Sequence, residues 1–225
     1  MKIATLSLAA LLATTAAATA SAQSIEGNVA LSTNYIYRGI TQTDNGPAIS
    51  GGFDFADESG IYAGVWASSV DFGDDTTMEI DVYGGYAWSV EGWDLDIGAL
   101  YYGYPDSPSA GGDQNFWEFY GGVGHALGPL AWDAKVSWSP DFYAESGPAV
   151  YFETGLAMDV REGISVDGRI GVSRFDDVPA ADYEDYQIGV SGTVFENIGW
   201  DLRYHKLSDD GDDSIVFSVS QSFGG

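Results

Sequence analysis

Between Thr77 and Val90 the chain reads TMEIDVYGGYAWSV, with Met78, Ile80, Val82, Tyr86, Trp88 and Val90 on one phase and Glu79, Asp81, Tyr83, Gly85, Ala87 and Ser89 on the other. A period of two is that of a β-strand, whose successive side chains point to opposite faces. After only Glu91 and Gly92 the pattern resumes in WDLDIGALYY, where Trp93, Leu95, Ile97, Ala99 and Tyr101 alternate with positions that include Asp94, Asp96 and Tyr102. One apolar phase, one charged phase and aromatics at the strand ends predict a transmembrane β-barrel.

The same pattern predicts twelve strands, at 28–39, 48–56, 61–70, 77–90, 93–104, 115–127, 130–139, 149–160, 164–174, 184–195, 199–207 and 214–223. The connections alternate in kind. DESG (57–60), EG (91–92), GP (128–129), REG (161–163) and ENI (196–198) are short, whereas ITQTDNGP, DFGDDT, PDSPSAGGDQ, SPDFYAESGP, FDDVPAADY and SDDGDD are longer. Long connections interleaved with short ones put both termini on the short-turn side, as in bacterial outer-membrane barrels with periplasmic turns and surface loops. The expected fold is therefore all-β: a transmembrane antiparallel up-and-down β-barrel of about twelve strands. It forms one domain over 23–225, since tilted strands of about nine to eleven residues use up that length.

The two phases assign the faces. Val29, Leu31, Tyr35 and Tyr37, then Leu130, Trp132, Ala134, Val136 and Trp138, then Ile164, Val166, Ile170 and Val172 share a phase almost free of charge, which is expected to meet hydrocarbon. Alternation alone would equally fit a soluble sandwich. The aromatics favour the membrane: Trp88, Trp93, Trp132 and Trp200 flank short turns, while Tyr37, Tyr101, Trp117, Trp138 and Tyr204 lie toward long loops, giving a girdle at each interface. The opposite phase is expected to line a pore with Asp54, Glu79, Asp81, Asp94, Asp96, Glu118, Asp133, Glu153, Asp159, Asp167 and Asp201, together with Arg38, Lys135, Arg169 and Arg203. Arginines among carboxylates read first as ion pairs, and the acidic excess beyond them would bias passage toward cations.

Residues 1–22 follow another rule. Lys2 precedes an apolar stretch from Ile3 to Ala13, and Ala20-Ser21-Ala22 forms a small-residue cleavage site, which predicts a cleaved signal peptide. Thr5, Ser7, Thr14, Thr15 and Thr19 interrupt the stretch too often for a membrane-spanning helix. The chain has no cysteine, so neither disulfides nor thiolate metal sites hold the fold. Eight Lys and Arg stand against 34 Asp and Glu, a formal net charge of −26 at pH 7, which repels nucleic acid.

NYIYRGITQTDNGPAISGGFDF (34–55), YAGVWAS (62–68), EIDVYGGY (79–86), YYGYP (101–105) and EFYGGV (118–123) together resemble the TorF-type porins of bacterial outer membranes. The resemblance covers roughly Asn34 to Val123, with Tyr-x-Tyr-Arg-Gly-Ile-x-Gln and the Gly-Gly-Phe-Asp segment as its most distinctive pieces, and is weak beyond. It implies an outer-membrane barrel with a pore and carries no catalytic residue, cofactor or substrate. One departure is the end of the chain: Phe223 is followed by Gly224 and Gly225, where such barrels often finish on an aromatic.

Several local patterns carry less. Gly122-Val123-Gly124 with Gly128 lacks the strand-to-helix context and the lysine of a phosphate loop and reads as a glycine-rich strand. Asp71, Asp74 and Asp75, and Asp209, Asp210, Asp212 and Asp213, lack EF-hand spacing and read as solvated charge rather than a metal site. His205, near Asp201 and Arg203, would suit a barrel hydrolase only beside a serine. Arg174 and Lys206 continue the lipid-facing phase at strand ends, placed either to snorkel toward lipopolysaccharide phosphates or to pair with loop aspartates. The function expected is a narrow, cation-preferring channel for small hydrophilic solutes or ions, not an enzyme. The alternative is a non-conducting structural or surface-interaction barrel.

Overall fold

The computed structural model describes residues 23–108, 112–195, 197–208, 211 and 213–224. The expected signal peptide, 1–22, lies outside the described residues. Among the described residues there are fourteen strands: β1 (Ser24–Ser32), β2 (Ile36–Tyr37), β3 (Ile40–Thr41), β4 (Ala48–Ala56), β5 (Ile61–Ser69), β6 (Met78–Val90), β7 (Trp93–Gly103), β8 (Phe116–Leu127), β9 (Leu130–Ser139), β10 (Ala149–Arg161), β11 (Ile164–Phe175), β12 (Tyr183–Val194), β13 (Ile198–Leu207) and β14 (Ser214–Gly224). All but β2 and β3 form one closed antiparallel barrel in chain order, β1 pairing with β14 on one side and β4 on the other. The barrel thus has the twelve strands expected, and closure leaves no exposed sheet edge. The short turns need left-handed backbone: Glu91 (φ 52°) and Gly92 (φ 84°) join Val90 to its partner Trp93 in a two-residue hairpin.

The first strand differs from expectation. It begins at Ser24 and ends at Ser32, and residues 33–39 leave the wall instead of extending it. Ile36-Tyr37 pairs back onto Ile40-Thr41 through Arg38 (φ 48°) and Gly39 (φ 83°), a hairpin whose two tip residues both take positive φ. Tyr35 and Tyr37 therefore do not meet lipid with Val29 and Leu31, because the turn rotates them off the strand phase. Three hydrogen bonds among Asn34, Tyr35, Thr41 and Thr43 close the base of this segment: Thr41 Oγ1 and Thr43 Oγ1 donate to Asn34 Oδ1 at 2.7 and 2.9 Å, and the Tyr35 amide donates to Thr43 Oγ1 at 3.1 Å.

Outside, large apolar side chains stay bare: Val82 is 52 % exposed, Ile97 53 % and Leu202 48 %. Such a continuous band is unfavourable in water and suits hydrocarbon. Inside, large side chains lie flat on glycines of the paired strand. Tyr83 lies over its register partner Gly64, Tyr62 over Gly85, Tyr120 over Gly98, Arg169 over Gly155 and Arg203 over Gly189. A Cβ would occupy the space of the ring or guanidinium at Gly64, Gly85, Gly98 and Gly189 and would crowd Arg169 at Gly155. Glycine here is a packing requirement that keeps the rings against the wall.

Candidate functional site: the barrel lumen

Because alternate residues of every barrel strand face inward, closure brings the charged phase together. Arg38, at the hairpin tip, crosses to β8: its Nη1 and Nη2 each lie 2.8 Å from a Glu118 carboxylate oxygen, and its guanidinium lies over the rings of Tyr37 and Tyr151 at 4.7 and 4.1 Å. Tyr35 donates to Glu79 (2.7 Å) and Tyr37 to the hydroxyl of Tyr102 (3.1 Å). Residues 35–38 are thus pinned inside the barrel by three side chains. Above it, toward the long-loop end, Leu100, Tyr102, Tyr104 and Phe116 form a buried cluster against Tyr37, Phe72, Phe142 and Tyr143.

The other sequence-predicted lining residues fall into two groups. On β9–β13 cations and carboxylates interlock. Arg169 bridges Asp133 (2.8 Å) and Glu153 (3.1 Å), and Arg203 forks onto Asp167 (2.5 and 2.8 Å) while also reaching Asp201 (3.0 Å). Lys135 lies 4.3 Å from the ring centre of Tyr120. On β4–β7 the carboxylates other than Asp81 are met by hydroxyls: Tyr83 donates to Asp54, Tyr62 to Asp96 (2.7 Å), and Tyr104 joins Tyr35 on Glu79 (2.8 Å). Asp94 accepts from Ser89, and Asp159 from Ser165, both at 2.6 Å near the short-turn rim. Sequence reasoning missed the tyrosines in this role and missed Asp185, which is buried and accepts from Tyr151 at 3.0 Å. Asp185 shares the phase of Gln187, Gly189 and Ser191, a signal available from the alternation.

What remains open is a cavity of about 190 Å³ beside the inward segment, bounded by Arg38, Asp81, Glu118, Arg169, Arg203 and a run of serines on β1, β4 and β14. His205 borders it as well, and among the described residues its imidazole makes no side-chain hydrogen bond to a serine. No three of the described His, Asp and Glu residues are placed to hold a metal ion. In the loops Asp71 accepts from the Gly73 amide and Asp74 from the Thr76 amide (3.0 and 2.7 Å). The bonds from Thr76, with one from Gln114, hold the Asp74 carboxyl below the usual carboxylate range. Of the second aspartate group only Asp213 is described, bonded to Tyr204 and Lys206.

Of the residues expected in the girdles, eight lie on the outward phase. Trp88 stacks on Tyr86, and Trp93 on His125 with Trp132 edge-on, at the short-turn end, where Trp200 also lies. Tyr101 packs on Trp117 and Trp138 on Phe119 at the other end, with Tyr204. Tyr37 is the exception: the Arg38-Gly39 turn sends it into the lumen. Arg174 lies 3.5 Å from Asp182 and Lys206 3.1 Å from Asp213, so both cations have loop carboxylates at hand.

Residues 16–223 match the model of a family described as "Bacterial protein of unknown function (Gcw_chp)". No curated protein matches the chain. Among solved structures, the KdgM porin in complex with disordered oligogalacturonate superposes with a TM-score of 0.61 at 7 % identity, covering 89 % of this chain and 98 % of that one. The COG4313 outer-membrane channel from Pseudomonas putida F1 gives 0.53 at 9 %, covering 91 % and 96 %. At such identities the likeness is one of fold: the closed barrel of outer-membrane porins and channels.

Proposed function

The chain belongs to the Gcw_chp family of bacterial proteins of unknown function, and from that premise we propose that it is an exported outer-membrane barrel that lets small hydrophilic solutes or ions diffuse passively. The observation that carries this reading is that mid-strand charge lies inside a closed twelve-strand barrel whose outside is apolar, outward charges such as Arg174 and Lys206 standing at strand ends. An apolar exterior by itself suits any membrane barrel, and inward charge by itself suits any wet cavity; together they fit a polar conduit through hydrocarbon. The fold of KdgM and the COG4313 channel supports the class, and the resemblance to TorF-type porins over Asn34 to Val123 supports it independently.

The finer reading is a narrow, cation-preferring channel. Twelve strands lie between eight-stranded barrels filled by side chains and porins with open channels, and the segment pinned by Arg38 takes up part of that interior. Arg38, Arg169 and Arg203 are each held by carboxylates, so the remaining acids leave a negative potential inside, moderated because the Debye length is about 8 Å at 0.15 M salt. The outer rim meets lipid, with Arg174 and Lys206 within reach of lipopolysaccharide phosphates. Recording in planar bilayers tests the reading. The purified barrel is expected to show small unitary conductance, a reversal potential of cationic sign in a potassium chloride gradient, and larger conductance after Arg38→Ala frees the inward segment. Absence of conductance would favour the alternative, a structural or surface-interaction barrel, and anion preference would refute the account of the lining.

A further inference from the structure

One inward carboxylate stands apart. Asp81 is 3 % exposed and borders the cavity, yet its Oδ1 has no hydrogen-bond partner among the described residues. The lumen carboxylates described above accept from a tyrosine, a serine or an arginine. The hydroxyls around Asp81 are committed elsewhere: Tyr83 donates to Asp54, Tyr102 to Glu118 (3.2 Å) and Tyr35 to Glu79. Among the described residues no arginine, lysine or histidine forms an ion pair with it, the nearby Arg38 being spent on Glu118. A buried carboxylate with no basic partner is costly to ionise unless a counter-ion joins it.

What surrounds Asp81 is aromatic. Its register partner on β5 is Trp66 and on β7 is Tyr102, Tyr83 is two residues along its own strand, and Tyr35 packs edge-on against Trp66 with centroids 5.4 Å apart. All four rings border the same cavity as the carboxylate. A carboxylate among aromatic rings suits a positive charge that brings its own apolar groups: the charge meets the carboxylate and the quadrupoles of the rings, while the alkyl groups meet their carbon surface. A bare metal ion would gain less, since the hydroxyls that could complete its shell are already in use.

We propose that Asp81, with Trp66, Tyr35, Tyr83 and Tyr102, forms a subsite inside the lumen for a small organic ammonium ion. It deepens the channel reading by naming the class of cation favoured in passage and rests on that reading only for transport, not for binding. Methylammonium is the probe. Its chloride should raise the unfolding midpoint of the detergent-purified barrel above that in sodium or potassium chloride at equal ionic strength, by the linkage of ligand to the folded state. Asp81→Asn, which keeps shape and removes charge, should abolish that difference, and Trp66→Leu should reduce it while Trp66→Phe keeps most of it. No shift, an equal shift with potassium, or a shift that survives Asp81→Asn overturns the proposal. In bilayers the permeability of methylammonium relative to potassium should fall about tenfold in Asp81→Asn, the factor that corresponds to about 1.4 kcal/mol. A barrel that binds methylammonium without conducting would sink the channel reading and leave the subsite standing; one that conducts without this stabilisation would do the reverse.

Discussion

Replacing Gly98 by alanine tests how the lumen is kept open. The added Cβ would stand where the Tyr120 hydroxyl lies and 2.8 Å from the Gly84 carbonyl oxygen. The ring must lift from the wall, losing its hydroxyl contact with Tyr62 and its seat beneath Lys135. Overpacking of this kind costs about 1–3 kcal/mol and the lost hydrogen bond about 0.5–1.5 kcal/mol. Against these, alanine restricts the unfolded chain more than glycine and returns about 0.5–1 kcal/mol. The net expectation is a loss of about 0.5–4 kcal/mol. Gly122→Ala, on the adjacent strand and the same inward face, is the control: its nearest neighbours would lie 3.7 and 3.9 Å away, ordinary contacts. That variant should be neutral or gain up to about 1 kcal/mol. Urea unfolding from lipid vesicles followed by tryptophan fluorescence reads the difference, and a double-mutant cycle with Tyr120→Ala should return a coupling of about 1 kcal/mol or more. If Gly98→Ala and Gly122→Ala unfold together, or the cycle shows no coupling, the glycines are not seats for the rings and the packing argument fails.

Two further outcomes are expected. Val82→Arg would set a cation on the bare outer face beside Val65 and Tyr101 and cost about 2–4 kcal/mol at mid-depth; gel-shift folding into vesicles should fall, and wild-type yield would invert the assignment of faces. Asp74 accepts from the Thr76 amide and from Gln114 Nε2 at 2.9 Å, which lowers its folded pKa. Its stabilisation of the two outer loops is therefore present above the unfolded carboxylate value of about 3.9 and lost as pH falls through the lower folded one. Proteolysis of the loops should rise in that acidic window for wild type, whereas Asp74→Asn should be loosened already at neutral pH with no further rise.

The alternation of Met78–Val90 and Trp93–Gly103 determined the strands, their two faces and the short turns, because a strand between water and hydrocarbon must sort its side chains residue by residue and that sorting is local. The aromatic ends of those strands, from Trp88 to Trp138, are legible for the same reason. The Arg38-Gly39 turn was written in the sequence but competed with an apolar phase that runs on through Tyr35 and Tyr37, and only the pairing of Ile36-Tyr37 with Ile40-Thr41 shows that the turn prevails. Partnership across the lumen is of another kind. Tyr35 meets Glu79 across 44 residues and Arg38 meets Glu118 across 80, and no pattern along the chain specifies which hydroxyl reaches which carboxylate. Strand order, closure and register set those distances together, and the same closure leaves Asp81 between Trp66 and Tyr102 with every nearby hydroxyl turned to another acid.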